Sequence, residues 1–333
     1  MTATRDLDRL RRERLSKAGS NAVIGALKIL GALPPTLAGV CGDTLGLILY
    51  ALDRRHRRIA FRNMARCFQG ERTLTQLKQL NRAVFKNMGR IPLEVGRSLS
   101  QSPEQMRHRV VISGYEHLQR ARQQGRGVLL LTAHIGNWEM APAVYPLLGA
   151  KGAVVYRPLD QPALDRAFRM IRSRNDTRLI ANRRAMREIL RALREGRMVG
   201  LLLDQNVDWY EGVFARFFGR RACTNKGLAL LAMKTRAPVV PVFLLRLPDG
   251  FKIDIRPPVP LCDSGDKTRD VDTNTQRYND AIEAAVRRNP DQWFWVHQRW
   301  KTRPYQPWPR QARKRAAVCG GRLRRCCNRQ ERT

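Results

Sequence analysis

Apolar and polar positions along the chain fall into three textures. The first is an apolar stretch from Ala22 to Leu52, behind a mostly basic start between Arg5 and Lys17. It is long enough to cross a bilayer, and Asp43 is the single charge between Ile29 and Leu52. However, Pro34-Pro35 splits it, and Gly31, Gly39, Gly42 and Gly46 dilute it. The pattern predicts two short helices, Ala22–Leu33 and Leu37–Leu52, lying in or dipping into a membrane interface. A single spanning helix and the buried hairpin of a soluble domain are the alternatives. A signal peptide fits badly, because the apolar region is too long and no small-x-small site closes it. The second texture, Ile59 to Ser100, reads as helical: Ile59, Met64, Leu77, Leu80, Val84, Phe85, Met88 and Leu93 recur at spacings of three, four and seven among basic residues.

The third texture begins after Val110. Gly127–Ala133, Ala153–Tyr156, Met198–Leu203, Val239–Leu244 and Phe251–Ile255 read as strands. Trp138–Leu148, Ala163–Arg174, Arg184–Glu195, Gly227–Thr235 and Thr273–Arg288 read as helices between or after them. This alternation predicts an α/β domain with a largely parallel central sheet flanked by helices, its strands nearly continuous in apolar residues because both faces are covered. Chemistry in open sheets of this kind collects at the carboxyl ends of the strands, which points to the residues just after Leu131, Tyr156 and Leu203.

Composition supports a folded chain, with 43% hydrophobic and 27% charged residues. Charge changes the picture more. Lys and Arg total 63 against 28 acidic residues, a net +35, which favours nucleic acid, anionic lipid headgroups or an acidic carrier protein as partner. The cluster Asp53-Arg-Arg-His-Arg-Arg58 directly follows the apolar segment. It suits a membrane surface with anionic lipids and would keep that side cytoplasmic, a solvated helix face being the bland reading. A basic nucleic-acid-binding protein is the rival of a different class. Against it, the arginines are dispersed and no helix-turn-helix, zinc-finger or RNA-recognition signature is present. Seven scattered cysteines without a CxxC pair read as reduced thiols of a cytosol-facing protein, and five histidines argue against a structural zinc.

The first strand end carries His134-Ile-Gly-Asn-Trp-Glu139. Gly136 permits a tight turn, Asn137 is a helix N-cap candidate, and Glu139 falls near the positive end of the following helix. His134 is predicted to be a general base, with the Glu139 carboxylate fixing its tautomer. No serine or cysteine nucleophile stands nearby, so the hydroxyl it activates belongs to a substrate. Arg157, at the second strand end, is either a clamp on phosphate or carbonyl or one more surface arginine. Asp204, beside Gln205 at the third, either pairs with a cation such as Arg157 or caps the next helix. Gly212-Val-Phe-Ala-Arg-Phe-Phe-Gly219 reads as a glycine-bounded loop whose three phenylalanines and Arg216 form a charged apolar wall suited to greasy chains; a core-packing loop is the alternative. A hydrolase splitting a thioester with the same His-Glu pair is a further reading.

These motifs, with Tyr156-Arg-Pro-Leu-Asp160, Cys223-Thr-Asn-Lys-Gly-Leu-Ala, Trp293-Phe-Trp-Val-His297 and Arg299-Trp-Lys301, resemble in order and spacing the bacterial lipid A biosynthesis acyltransferases of the lauroyl and myristoyl type, from about residue 20 to 303. The resemblance implies a glycerolipid acyltransferase-like fold and a His-x4-Asp/Glu dyad of His134 and Glu139. It implies transfer of an acyl chain from acyl carrier protein, or acyl-CoA, to a hydroxyl of a phosphorylated glycolipid acceptor, a lipid A precursor, at the cytoplasmic face of the inner membrane. Another glycolipid or phospholipid acceptor stays open. Arg157 and Asp204 would shape the site and bind phosphate or stabilise a developing oxyanion, and Asn137, Gln205 and Arg216 would complete the substrate-binding set. Neither metal nor cofactor is implied. The division that follows is a membrane-associating helical segment over 1–58, a catalytic domain over 59–303, and a basic, disordered or peripheral tail over 304–333.

Overall fold

The structure is a computed structural model that describes residues 2–182 and 185–304. The tail expected from 304 onward lies, from 305, outside the described residues. Four helices come first: α1 (Thr2–Gly31), α2 (Pro35–Leu52), α3 (Arg54–Cys67) and α4 (Leu74–Ser98). Pro35 sits in the first turn of α2, where a missing N–H costs no intrahelical bond, so the Pro-Pro pair divides the apolar stretch as its sequence predicts. Asp53 caps α3 by accepting from the His56 N–H, and a Thr73/Gln76 capping box starts α4. The platform is α4. It meets α2 where Gly46 and Gly89 allow backbone contact: a Cβ on Gly46 would lie 2.2 Å from the Phe85 carbonyl oxygen. Asp43, the lone charge of the apolar run, pairs with Arg90 and Lys86 of α4. The opposite face of α2 leaves Leu37, Val40, Leu47, Ile48 and Leu52 exposed. Among the described residues α2 is the one helix long and apolar enough to cross a membrane.

The rest of the chain alternates as expected: α5 (Pro103–Arg107), β1 (Val110–Ser113), α6 (Tyr115–Gln123), β2 (Val128–Thr132), α7 (Ala141–Val144), β3 (Gly152–Tyr156), α8 (Pro162–Arg172), β4 (Arg178–Ala181), α9 (Ala185–Arg194), β5 (Met198–Leu202), β6 (Gly212–Phe217), β7 (Arg220–Asn225), α10 (Gly227–Thr235), β8 (Val239–Leu247), β9 (Gly250–Ile255) and α11 (Lys267–Arg288). The main sheet has the order β1-β9-β8-β2-β5-β3-β4. All its pairings are parallel except β8 with β9. Strand β2 shows why its run is apolar throughout. Leu129 and Leu131 enter a core shared with α3, α4, α10 and α11, whereas Val128 and Leu130 enter another beneath α6 and α7.

Four elements differ from the sequence expectation. Strands β1 and β4, which pattern alone does not reveal, are four-residue edge strands, and their partial exposure blurs the apolar signature. The helix expected over Trp138–Leu148 is broken into a 3₁₀ turn (Trp138–Met140), the single turn α7 and a second 3₁₀ turn (Tyr145–Leu148), because Pro142 and Pro146 each remove a donor. The expected loop Gly212–Gly219 is strand β6 and the turn of a β6–β7 hairpin, closed by Phe218 and Gly219, both at positive φ. Its Phe217 and Phe218 pack on Trp293 and Trp295 rather than forming a wall for a ligand.

Candidate active site

β2, β5 and β3 are parallel neighbours, so their carboxyl ends lie side by side, with Thr132 in register with Leu202. Two residues beyond each of the β2 and β5 ends stand His134 and Asp204. The His134 backbone N–H donates to Asp204 Oδ2 at 2.9 Å, and its Nδ1 lies 2.8 Å from Asp204 Oδ1. The turn that holds this pair depends on Gly136, at φ +62°, where a Cβ would sit 1.9 Å from the Leu244 carbonyl oxygen. A segment from the far end of the chain lies against the turn. Gly136 N–H donates to the Gln292 carbonyl at 3.0 Å, and Phe294 N–H to the His134 carbonyl at 2.9 Å.

That segment completes the surroundings of Asp204. Trp293 Nε1 donates to Asp204 Oδ2 at 2.8 Å, and His297 Nε2 stands 3.6 Å from the same oxygen. The Asp204 side chain is wholly buried, whereas 16% of the His134 side chain is exposed. Burial alone would raise the Asp204 carboxyl, but the hydrogen-bonded His134 and the nearby His297 hold it well below the usual carboxylate range. For His297 burial wins and lowers its proton affinity, despite the pull of Asp204. Arg299, fully buried, ties the walls together. It donates to the Gln205 carbonyl (3.2 Å), the Cys223 carbonyl (2.8 Å) and Thr224 Oγ1 (2.6 Å), and burial brings its pKa down to about 10.

With Asp204 as its acceptor, the His134 ring carries its proton on Nδ1. The Nε2 lone pair then accepts from Gln205 Nε2 at 3.2 Å. One ring nitrogen is thus anchored on a buried carboxylate and the other is turned to a neutral amide, the geometry of a general base. The donor atoms of His134, Asp204 and His297 also lie within 4.8 Å of one another. Both Asp204 oxygens accept from N–H groups of His134 and Trp293, which joins the set into a hydrogen-bonded relay.

The ring opens on a cavity of about 800 Å³ whose polar lining includes His134, Trp138, Glu139, Arg157, Arg172 and Gln205. The remainder is largely apolar and reaches both faces of the sheet edge, with Leu130, Tyr145 and Val154 on one side and Ile189, Leu201 and Leu231 on the other.

The structure brings His134, Asp204 and Gln205 together but gives Glu139 different partners from those expected. The carboxylate bonded to the His134 ring is that of Asp204. Glu139 accepts two parallel bonds from Arg172, at 2.9 and 2.6 Å, and one from Trp138 Nε1 at 3.1 Å. The 3₁₀ turn directs it towards α8, where a guanidinium fork matches its two oxygens. Asp204 does not pair with Arg157, which is exposed on the cavity lining. Asn137 makes no cap bond; its buried amide donates to Glu94 at 2.7 Å, on the α4 side. Arg216 is exposed on β6 and is not among the cavity-lining residues. Arg172, Trp293 and His297 escape sequence reasoning as site residues. The WFWVH run was a signal, but nothing local to it names Asp204 as its target.

The family described as bacterial lipid A biosynthesis acyltransferase matches residues 9–302 of the chain. Among curated relatives, a lipid A biosynthesis lauroyltransferase of Escherichia coli (strain K12) is 26% identical over 284 residues, covering 84% of this chain and 90% of the relative. A lipid A biosynthesis palmitoleoyltransferase of the same strain is 26% identical with the same coverage. A lipid A biosynthesis myristoyltransferase, also from that strain, is 25% identical over 286 residues, covering 84% of this chain and 86% of the relative.

Proposed function

The chain belongs to the bacterial lipid A biosynthesis acyltransferase family, and from that premise we propose that it moves a fatty acyl chain from acyl carrier protein to a hydroxyl of a lipid A precursor, with His134 as general base, at the cytoplasmic face of the inner membrane. The observation that carries this reading is the His134 ring: Nδ1 held by a buried carboxylate, Nε2 facing a large, mainly apolar cavity. In the proposed step His134 Nε2 takes the acceptor's hydroxyl proton while the oxygen attacks the thioester carbonyl. The tetrahedral intermediate collapses with cleavage of the C–S bond, and the thiolate leaves with the proton returned from the imidazolium. Asp204 fixes the tautomer and balances the imidazolium charge. Gln205 places an amide donor 3.2 Å from the ring and is assigned to the developing oxyanion. Glu139 holds Arg172 in place, and Arg172 with Arg157 offers guanidinium groups to the acceptor's phosphates.

Residues 1–58 serve in this reading as the membrane-associating segment and 59–303 as the catalytic domain. The exposed apolar face of α2 and the net charge of +35 support contact with a bilayer surface, an acidic carrier and phosphates. The test is transfer in detergent to a phosphorylated lipid A precursor, with acyl carrier protein thioester and acyl-CoA compared as donors. His134→Ala is expected to lose roughly 100- to 10,000-fold in rate. Full activity in that variant sinks the mechanism, and release of free fatty acid regardless of acceptor favours a thioester hydrolase.

A further inference from the structure

The segment that places Trp293 on Asp204 carries a second imidazole to the same carboxylate, and the transfer step has no use for it. We propose that His297 is a positioning residue for the general base: its Nε2–H, aimed at Asp204 Oδ2, tempers the charge that Asp204 presents to His134 and so sets how tightly the His134 ring holds its proton. The inference rests on the general-base reading of His134.

Four observations carry it. The His297 ring lies edge-on to the His134 ring, with centroids 5.0 Å apart, and its Nε2 faces Asp204 Oδ2 at 3.6 Å. That nitrogen is buried and has no hydrogen-bond partner among the described residues. A buried polar nitrogen whose nearest acceptor is an anion is stabilised as the Nε2–H tautomer. The backbone that carries the ring is also held: Asn63 of α3 donates to the carbonyls of Trp295 (2.9 Å) and His297 itself (2.8 Å). Finally, the titratable and charged groups that bear on His297 are Asp204, His134 and Arg299; burial, first of all, lowers its proton affinity against the pull of Asp204.

At 3.6 Å the contact is an oriented dipole and not a full hydrogen bond. Around a buried carboxylate that is enough to matter, because every N–H directed at Asp204 disperses part of its charge. Charge shared with His297 is not available to hold a proton on His134. The His134 ring therefore stays neutral, and basic, to lower pH than it would beside an aspartate with one donor fewer.

The experiment uses the full-length enzyme in detergent. kcat/KM is measured from about pH 5 to about pH 8.5 for the native protein, His297→Phe and His297→Gln, and the His134 ring is titrated by nitrogen-15 NMR in histidine-labelled protein. His297→Phe, which keeps the ring volume and loses the donor, is expected to raise both the acid limb and the His134 midpoint by roughly half to one pH unit. Activity on the acid side then falls about three- to tenfold. His297→Gln, whose amide puts a donor near the position of Nε2, is expected to return both towards native values. Unchanged midpoints in folded His297→Phe, or equal shifts in the two variants, overturn the proposal. If His297→Phe does not fold, His297→Asn takes its place, since its shorter amide does not reach Asp204. The NMR titration reads the coupling whether or not transfer occurs, so its failure and a failure of the acyl-transfer reading are distinguishable.

Discussion

Asp204 and Glu139 are the same functional group in one site, and the fold gives them different neighbours. Asp204 is sealed from water and meets N–H donors: the His134 backbone and ring, and Trp293. Glu139 keeps some exposure on the cavity wall and faces the guanidinium of Arg172. A full cation on Asp204 would compete with the imidazolium for its charge. Neutral N–H donors keep it ionised and oriented without that competition. Glu139 does the converse, holding a cation in place on the cavity wall. Proximity in sequence pairs Glu139 with His134, whereas proximity in space pairs Asp204 with it.

The largest effect that tests this contrast is expected from Asp204→Asn. It should cost roughly 100- to 10,000-fold in kcat, because the amide no longer enforces the working tautomer or balances the imidazolium. Radiolabelled acyl transfer reads this directly. Glu139→Gln should cost about tenfold and mainly in KM, since Arg172 loses one charge-assisted anchor while the His134–Asp204 bond remains. If Glu139→Gln proves the more damaging in kcat, the contrast fails and Glu139 acts on the ring after all.

A smaller effect should appear in stability against pH. The folded-state carboxyl of Asp204 titrates below its ordinary value, so its contribution is fully present above the unfolded value near 4 and is lost as pH falls through the folded one. Asp204→Asn should therefore melt a few degrees below native protein at neutral pH. That gap should narrow as pH drops below about 4, as followed by circular dichroism. The smallest effect is expected from Arg216→Ala, within about twofold of native activity, since an exposed strand residue outside the cavity has nothing to lose there. A large loss would return the β6–β7 hairpin to substrate contact.

Much of the frame was legible in the chain. Continuous apolar runs announced the inner strands, Pro34-Pro35 the break before α2, and the strand ends the place where His134, Arg157 and Asp204 would be found. These signals are local: backbone periodicity, a missing donor at proline and burial on two faces act over a few residues. Other features could not be read this way. The edge strands β1 and β4 are too short and too exposed to show a pattern. The Gly212–Gly219 stretch, with its glycines and phenylalanines, suits a loop as well as a hairpin until β7 is seen beside it.

The sequence by itself determined that a histidine stands at the mouth of a parallel sheet, in a basic chain with an apolar beginning. Which carboxylate serves that histidine was decided by tertiary structure alone. Asp204 is 70 residues away from His134 and Trp293 a further 89 beyond Asp204. They converge because β2 and β5 pair in parallel with Thr132 opposite Leu202 and because residues 292–294 close over Gly136. Strand order and register are settled by packing the whole core at once, so no spacing within a single motif can express them.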